Sequence, residues 1–372
     1  MLTEFDRRMM ARALALAERG LETTHPNPRV GCVIVQDEEV VGEGWHERAG
    51  EPHAEINALR AAGPRGAGAT VYVTLEPCSH HGRTPPCVDA LIAARVARVV
   101  FASQDPNPRV SGRGAEALRR AGVAVESGLL QDEAADLNPG FFKRMRSGRP
   151  WVRVKLAMSL DGRTALANGA SQWITGPAAR EDVQHWRARS SAILTGIGTV
   201  LADDPRLDIR LPGPSRAQPM RVVLDTQLRM PLEARLLSVG GKVMILTGAD
   251  RGDPGAERAT RRAQFASRGA IVEEVPRAGG DGLDLAAVLD LLGRRELNEV
   301  WVEAGARLAG ALLGQSLADE LLVYIAPKLL GPQARPLVEL GELRELPSAP
   351  GFRIVESRQV GEDLRVRLRP LE

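Results

Sequence analysis

Cysteine is scarce in this chain: Cys32, Cys78 and Cys87 are all there are among 372 residues. So few thiols in so long a chain do not build a disulfide scaffold, and they point to a metal or catalytic role instead. Aromatic residues make up only 3%, which argues against a stacking platform for single-stranded nucleic acid. No block of one charge stands out either. The formal net charge is +2, spread along the chain, with Arg supplying nearly all the positive residues. The basic footprint of a nucleic-acid-binding surface is therefore missing. Long apolar runs are absent as well: none approaches the roughly 18 residues of a membrane span. The opening MLTEFDRRMMARALALAERG breaks its apolar positions with charge, unlike the core of a signal peptide. A cytoplasmic protein with no membrane or nucleic-acid partner is the expectation.

What is present is ordinary globular material, 44% hydrophobic and 26% charged, at a length that suggests roughly two domains. Thr3 and Asp6 have the spacing of a capped helix start for a segment ending near residue 19. VGCVIVQ (30–36) and EVVGEGW (39–45) predict a hairpin, and a helix opens near His53. Strand TVYVTL (70–75), helix CVDALIAAR (87–95), strand ARVVFAS (97–103), helix GAEALRRAG (114–122) and strand VAVES (123–127) follow, an α/β layering. RSGRP (146–150) separates this series from a second one, so the domains are read as 1–147 and 148–372. The second series has strands at 151–159, 191–196, 221–225, 242–248, 271–276 and 299–305, helices near 177–190, 284–294 and from Leu308, and a closing set of strands. This too is α/β with a largely parallel core. PNPRV occurs at 26–30 and again at 106–110, each beside a strand end, where α/β proteins place binding groups.

The densest stretch is TLEPCSHHGRTPPC (74–87). A catalytic zinc needs three protein ligands and one open position, and His53 in PHAE supplies the imidazole to complete Cys78 and Cys87. Glu55, two residues on, completes the H-x-E, P-C, C order of the zinc nucleobase deaminases. In that order the metal lowers the pKa of a water towards ~7, and the carboxylate moves the proton. A Cys78–Cys87 disulfide, and His80 or His81 in place of His53, are the alternatives. Cys32, inside an apolar strand, reads as core.

Together HPNPRVGCVIV, GWHERAGEPHAEINAL, TLEPCSHHGRTPPC and DPNPRVSGRG resemble the bifunctional riboflavin-biosynthesis enzymes. In that family a diaminohydroxyphosphoribosylaminopyrimidine deaminase is fused to a 5-amino-6-(5-phosphoribosylamino)uracil reductase. KLAMSLDGRTALANGASQWITG, TVLADDPRLDIR and VWVEAGARLAGALL extend the resemblance over nearly the whole chain. It implies a cytidine-deaminase-like three-layer domain followed by a dihydrofolate-reductase-like domain. It also implies Zn²⁺ on His53, Cys78 and Cys87, Glu55 as proton shuttle, and substrate contacts at Asn27, His46, Arg83, Asp105 and Asn107. For the second domain it implies NADPH, held at Ala157, Trp173, Thr199, Asp203, Thr226 and at Gly305, Ala306, Arg307, Leu308, Ala309, Gly310 and Ala311. Substrate contacts there are Ser171, Arg187, Leu207, Arg210 and Glu303, the two arginines suiting a 5′-phosphate. Lys155 and Asp203 are the candidates for polarising the opened ribose. A phosphorylated pyrimidine as small-molecule substrate and a homo-oligomer, dimer or tetramer, complete the expectation.

Overall fold

A computed structural model of the chain describes residues 2–79, 85–108, 110–212, 217–249, 255–279 and 282–371. Contacts divide it into two compact units, 1–149 and 150–372.

The first unit opens with α1 (Glu4–Glu18), whose N-cap Thr3 accepts from the Asp6 N–H while the Asp6 carboxylate accepts from the Thr3 N–H. This reciprocal box satisfies two of the otherwise orphaned donors of a helix start. There follow β1 (Gly31–Gln36), β2 (Glu39–Trp45), α2 (Ala54–Ala62), β3 (Thr70–Leu75), α3 (Cys87–Ala93), β4 (Arg98–Ser103), α4 (Arg113–Arg120), β5 (Ala124–Ser127), α5 (Gln131–Leu137) and α6 (Pro139–Ser147). The sheet order is β2-β1-β3-β4-β5, with β1 antiparallel to both neighbours and β3, β4 and β5 parallel. One sheet face packs on Met10, Ala13 and Leu16 of α1 and Ala134 of α5. The other packs on α2, α3, α4 and the Phe141–Phe142 pair of α6. The result is a three-layer α/β/α sandwich.

Gly42 and Gly44 on β2 decide how closely α2 can lie. A Cβ on Gly42 would meet the Ala58 carbonyl oxygen at 2.3 Å, and one on Gly44 the Ala54 carbonyl oxygen at 2.6 Å. With no side chain between them, helix and strand touch backbone to backbone. The amino end of α2 is thereby fixed over the carboxyl edge of the sheet.

The second unit comprises β6 (Trp151–Ser159), β7 (Arg163–Ala165), α7 (Pro177–Ala188), β8 (Ala192–Gly196), α8 (Ile197–Asp203), β9 (Met220–Leu224), β10 (Val243–Gly248), α9 (Gly255–Ser267), β11 (Ile271–Val275), α10 (Leu285–Arg294), β12 (Glu299–Glu303), α11 (Ala306–Gly314), β13 (Glu320–Ala326), β14 (Arg335–Pro336), β15 (Phe352–Val360) and β16 (Asp363–Pro370). Nine strands form one sheet in the order β11-β10-β9-β8-β12-β6-β13-β16-β15. It is parallel from β11 to β13, and β16 and β15 add an antiparallel edge. Apolar clusters fill both faces: α10 and α11 cover one, while α7, α8 and α9 supply the other. Among the described residues no helix is long and apolar enough to cross a membrane.

Candidate active sites

Three chain segments converge at the carboxyl edge of the first sheet. His53 is the N-cap of α2, Cys87 opens α3, and Cys78 stands in the turn after β3. The His53 Nδ1 lies 3.2 Å from the Cys87 Sγ and 3.6 Å from the Cys78 Sγ, and the three donor atoms fall within 4.8 Å of one another. A tetrahedral ion with Zn–N and Zn–S bonds of ~2.0–2.3 Å keeps such donors roughly 3.3–3.8 Å apart. One nitrogen and two sulfurs at this spacing fit zinc and leave its fourth position to water. All three cysteines are free, so the disulfide alternative does not hold. His80, His81 and Arg83 lie outside the described residues.

The surroundings prepare these donors. The Cys87 N–H donates to the Cys78 Sγ at 3.3 Å and the Val88 N–H to the Cys78 carbonyl at 3.2 Å. The start of α3 thus grips the turn that carries Cys78 and, with Cys87 and His53 donating, pulls that thiol towards the thiolate. Glu55, in the first turn of α2, is buried, and burial pushes its carboxyl above the usual range. His46 stands edge-on to His53, with ring centroids 5.3 Å apart. Its Nδ1 is 3.2 Å from the Pro52 carbonyl, which can only accept, so Nδ1 carries the proton. Burial keeps the ring neutral, and Nε2 then accepts from the Asn27 Nδ2 at 3.0 Å. Asp105 and Asn107 follow β4 at the same edge. The Asp105 carboxyl, buried and accepting the Asn107 N–H at 2.8 Å, is pushed up to about 7, chiefly by burial. Sequence reasoning passed over Glu76, a buried acid at the end of β3; its one signal was a carboxylate set between an apolar strand and Pro77-Cys78.

In the second unit Glu303 closes β12 and Thr226 follows β9, at the carboxyl ends of parallel strands, where open α/β sheets bind ligands. Lys155 on β6 and Glu303 on β12 are direct register partners. Glu303 takes a bidentate pair from Arg187, Nε at 2.6 Å and Nη2 at 2.8 Å, and a third bond from the Trp301 Nε1 at 2.8 Å. Burial alone would raise its carboxyl, but Arg187 and Lys155 hold it down to about 2. Burial pulls the Lys155 amine below its ordinary value, against Glu303. The Arg187 Nη1 reaches the Asp208 carbonyl at 2.8 Å, and the Asp208 carboxylate pairs with Arg206 and Arg210, so the loop carrying Leu207 and Arg210 is tied to the same point.

Asp203, by contrast, ends α8 with an exposed side chain; the charges around Lys155 are those of Glu303 and Arg187. Thr199 lies on α8, and Thr226 follows β9, its carbonyl accepting the Gly248 N–H at 3.1 Å. Trp173 is 64% exposed beneath the Arg180 guanidinium, and its carbonyl accepts from the Lys328 Nζ. That bond fixes the loop shared by Ser171, while Ala157 lies on β6. At α11 the candidates divide. Gly305, Ala306, Arg307 and Leu308 form the N-cap and first turn, whereas Ala309 and Gly310 are buried, Gly310 against the backbone of Glu339, and Ala311 is half-buried. Only the first of these groups offers free N–H donors to an anion.

Comparison with known proteins sets both units in context. The family model for the cytidine and deoxycytidylate deaminase zinc-binding region matches residues 3–103, and the model for the RibD C-terminal domain matches residues 150–366. The riboflavin biosynthesis protein RibD of Escherichia coli is 53% identical over 374 residues, covering 98% of this chain and 99% of that protein. Its counterpart in Haemophilus influenzae is 46% identical, covering 97% and 96%. The chain belongs to the RibD family.

Among solved members of the RibD family, that of Acinetobacter baumannii superposes with a TM-score of 0.91 at 45% identity, covering 99% of both chains. The diaminohydroxyphosphoribosylaminopyrimidine deaminase/5-amino-6-(5-phosphoribosylamino)uracil reductase of Thermotoga maritima gives 0.84 at 32%, again covering 99% of both. Membership agrees with the resemblance read from the sequence. As a member of the RibD family this is a bifunctional enzyme of riboflavin biosynthesis, with a cytidine-deaminase-like, zinc-binding unit ahead of an NADPH-dependent reductase unit.

Proposed function

We propose that the first unit removes the 2-amino group of 2,5-diamino-6-ribosylamino-4(3H)-pyrimidinone 5′-phosphate by hydrolysis. The second unit then reduces the ribosyl chain with NADPH, giving 5-amino-6-ribitylaminouracil 5′-phosphate. The observation that carries the first step is the His53–Cys78–Cys87 donor set with Glu55 beside it. Zinc held there supplies Lewis acidity that brings water to near-neutral pKa. Glu55 takes the proton released as water attacks C2 and returns it to the departing amine. A carboxyl whose pKa burial has raised suits both halves of that task. His46, fixed in one tautomer by Pro52, and Asn27 orient the pyrimidine. Asp105, Asn107 and Arg83 complete the contacts to base and ribose phosphate.

In the second unit the cofactor supplies the hydride, and the chain holds the two partners and manages one proton. Gly305 to Leu308 offer N–H donors to the cofactor's phosphates, with Ala157, Trp173, Thr199, Asp203 and Thr226 as further contacts. Arg187, Arg210, Leu207 and Ser171 hold the substrate, Glu303 orients Arg187, and Lys155 donates to the ribose oxygen as the chain opens. A desolvated amine beside a carboxylate can carry that proton. Asp203 is the weaker partner for it, since Glu303 occupies the neighbouring register. A cytoplasmic homo-oligomer, dimer or tetramer, completes the proposal, and sedimentation of the purified chain measures that state.

The test supplies the diaminopyrimidine phosphate with and without NADPH. Ammonia release without NADPH, followed by stoichiometric NADPH oxidation once it is added, is the expected result. NADPH oxidation that proceeds at full rate while deamination is blocked would place the steps in the opposite order and overturn it.

A further inference from the structure

Glu76 has no part in the chemistry described so far, yet it is 3% exposed and stands two residues before Cys78. Its carboxylate accepts three backbone N–H groups: Asp105 at 3.3 Å and Gly112 at 2.9 Å on Oε2, and Ala115 at 3.1 Å on Oε1. Its own N–H donates to the Ser103 carbonyl at 2.9 Å. Asp105 begins the loop that leaves β4, Gly112 is the N-cap of α4, and Ala115 lies in the first turn of that helix. One carboxylate therefore clamps both ends of a loop whose middle carries Asn107. A carboxylate accepting several backbone N–H groups makes charge-assisted bonds, which are stronger than neutral ones. The backbones also meet here: a Cβ on Gly114 would stand 2.1 Å from the Pro77 carbonyl oxygen. The turn that carries Cys78 is thus packed against the first turn of α4, just beyond the Asp105–Gly112 loop.

We propose that Glu76 is a positioning residue of the deaminase. It sets the Asp105–Asn107 loop at a fixed distance from Cys78 and so governs how tightly the pyrimidine is held, without taking part in metal binding or proton transfer. A carboxylate buried at this point costs desolvation, and an apolar residue would fill the volume without that cost. What the carboxylate adds is the simultaneous hold on three amides. The inference rests on the reading that Asp105 and Asn107 contact substrate.

The experiment compares Glu76→Gln with Asn107→Ala, measuring deaminase kcat and KM, zinc per chain, and reductase activity on the deaminated intermediate. Gln keeps the shape but turns one acceptor into an NH₂ group facing an N–H. Expected for Glu76→Gln is a KM raised ~10-fold or more, equivalent to about 1.4 kcal/mol, with kcat within ~3-fold, zinc retained and reductase unchanged. Zinc lost in parallel with activity, a fall confined to kcat, or unchanged kinetics would each overturn it. A raised KM in Asn107→Ala with Glu76→Gln silent removes this inference alone; silence in both removes the substrate role of the loop as well. Glu76→Asp, which keeps the charge but withdraws it by one methylene, carries the test if the Gln variant does not fold. Its KM is expected to lie between wild type and Gln, and a wild-type KM would overturn the proposal.

Discussion

The two units solve the same placement problem with different materials. In the first, the candidate metal donors and their neighbouring acid come from two short segments: an imidazole, two thiols and a carboxylate from 53–55 and 78–87. In the second, the hydride belongs to a cofactor, and the chain contributes a charged network, Lys155–Glu303–Arg187–Asp208, drawn from strands and loops far apart in sequence. Where side chains must hold a metal ion, rare donor types have to stand at short fixed spacings. Where a cofactor supplies the hydride, common residue types suffice and the fold has to bring them together.

That contrast can be broken most sharply at Glu55. Glu55→Gln should lower deamination by about 10²–10⁴-fold while zinc stays bound and the reductase keeps its rate; a matching loss in both activities would merge sites that the account keeps apart. Next in size is the buried pair of the second unit. Arg187→Met removes the bidentate partner of Glu303 and leaves only Lys155 and the Trp301 N–H to compensate it, a break that costs up to about 3–5 kcal/mol. Calorimetry should show the unfolding of the second unit moved to lower temperature and the first unit untouched.

The pH responses should oppose each other. Glu303 is depressed from its ordinary 4.5 to about 2, so its contribution is present above pH 4.5 and disappears as pH falls towards 2. Asp105 is raised from 3.8 to about 7, so the first unit loses stability as pH rises between those values. At about 1.4 kcal/mol per unit of separation, each term amounts to at most a few kcal/mol. Glu303→Gln should flatten the acid limb and Asp105→Asn the loss of stability towards neutrality, each in its own unit only. The smallest effect is expected at the α1 cap, where Thr3→Ala removes half of the box and costs about 1 kcal/mol, read as a slight destabilisation of the first unit.

How much of this was legible in the sequence follows the same division. The zinc cluster was readable because His53, Glu55, Cys78 and Cys87 sit in two short motifs, and the strands were readable because buried parallel strands are continuous apolar runs. The helices α5, α6, α8 and α9 were not. α5 and α8 are seven residues long, too short for periodicity, and α9, GAERATRRAQFAS, has Phe265 as its one large apolar residue, fully buried. EVVGEGW reads as a strand, but nothing in it marks Gly42 and Gly44 as the residues that let α2 approach. Lys155 and Asp203 stand together in the sequence reading, whereas the neighbour the sheet gives Lys155 is Glu303, on a strand far away in sequence. Glu303, expected as a substrate contact, is the group the sheet places opposite Lys155.

The central claim is that one metal ion on His53, Cys78 and Cys87 makes the first unit a catalyst and leaves the second unaffected. Stepwise removal of zinc by a chelator, with metal content and both activities measured at each step, tests it directly. Deamination should fall in proportion to zinc, from one ion per chain to none, while NADPH oxidation on the deaminated intermediate stays constant. Deamination persisting in metal-free protein would contradict it.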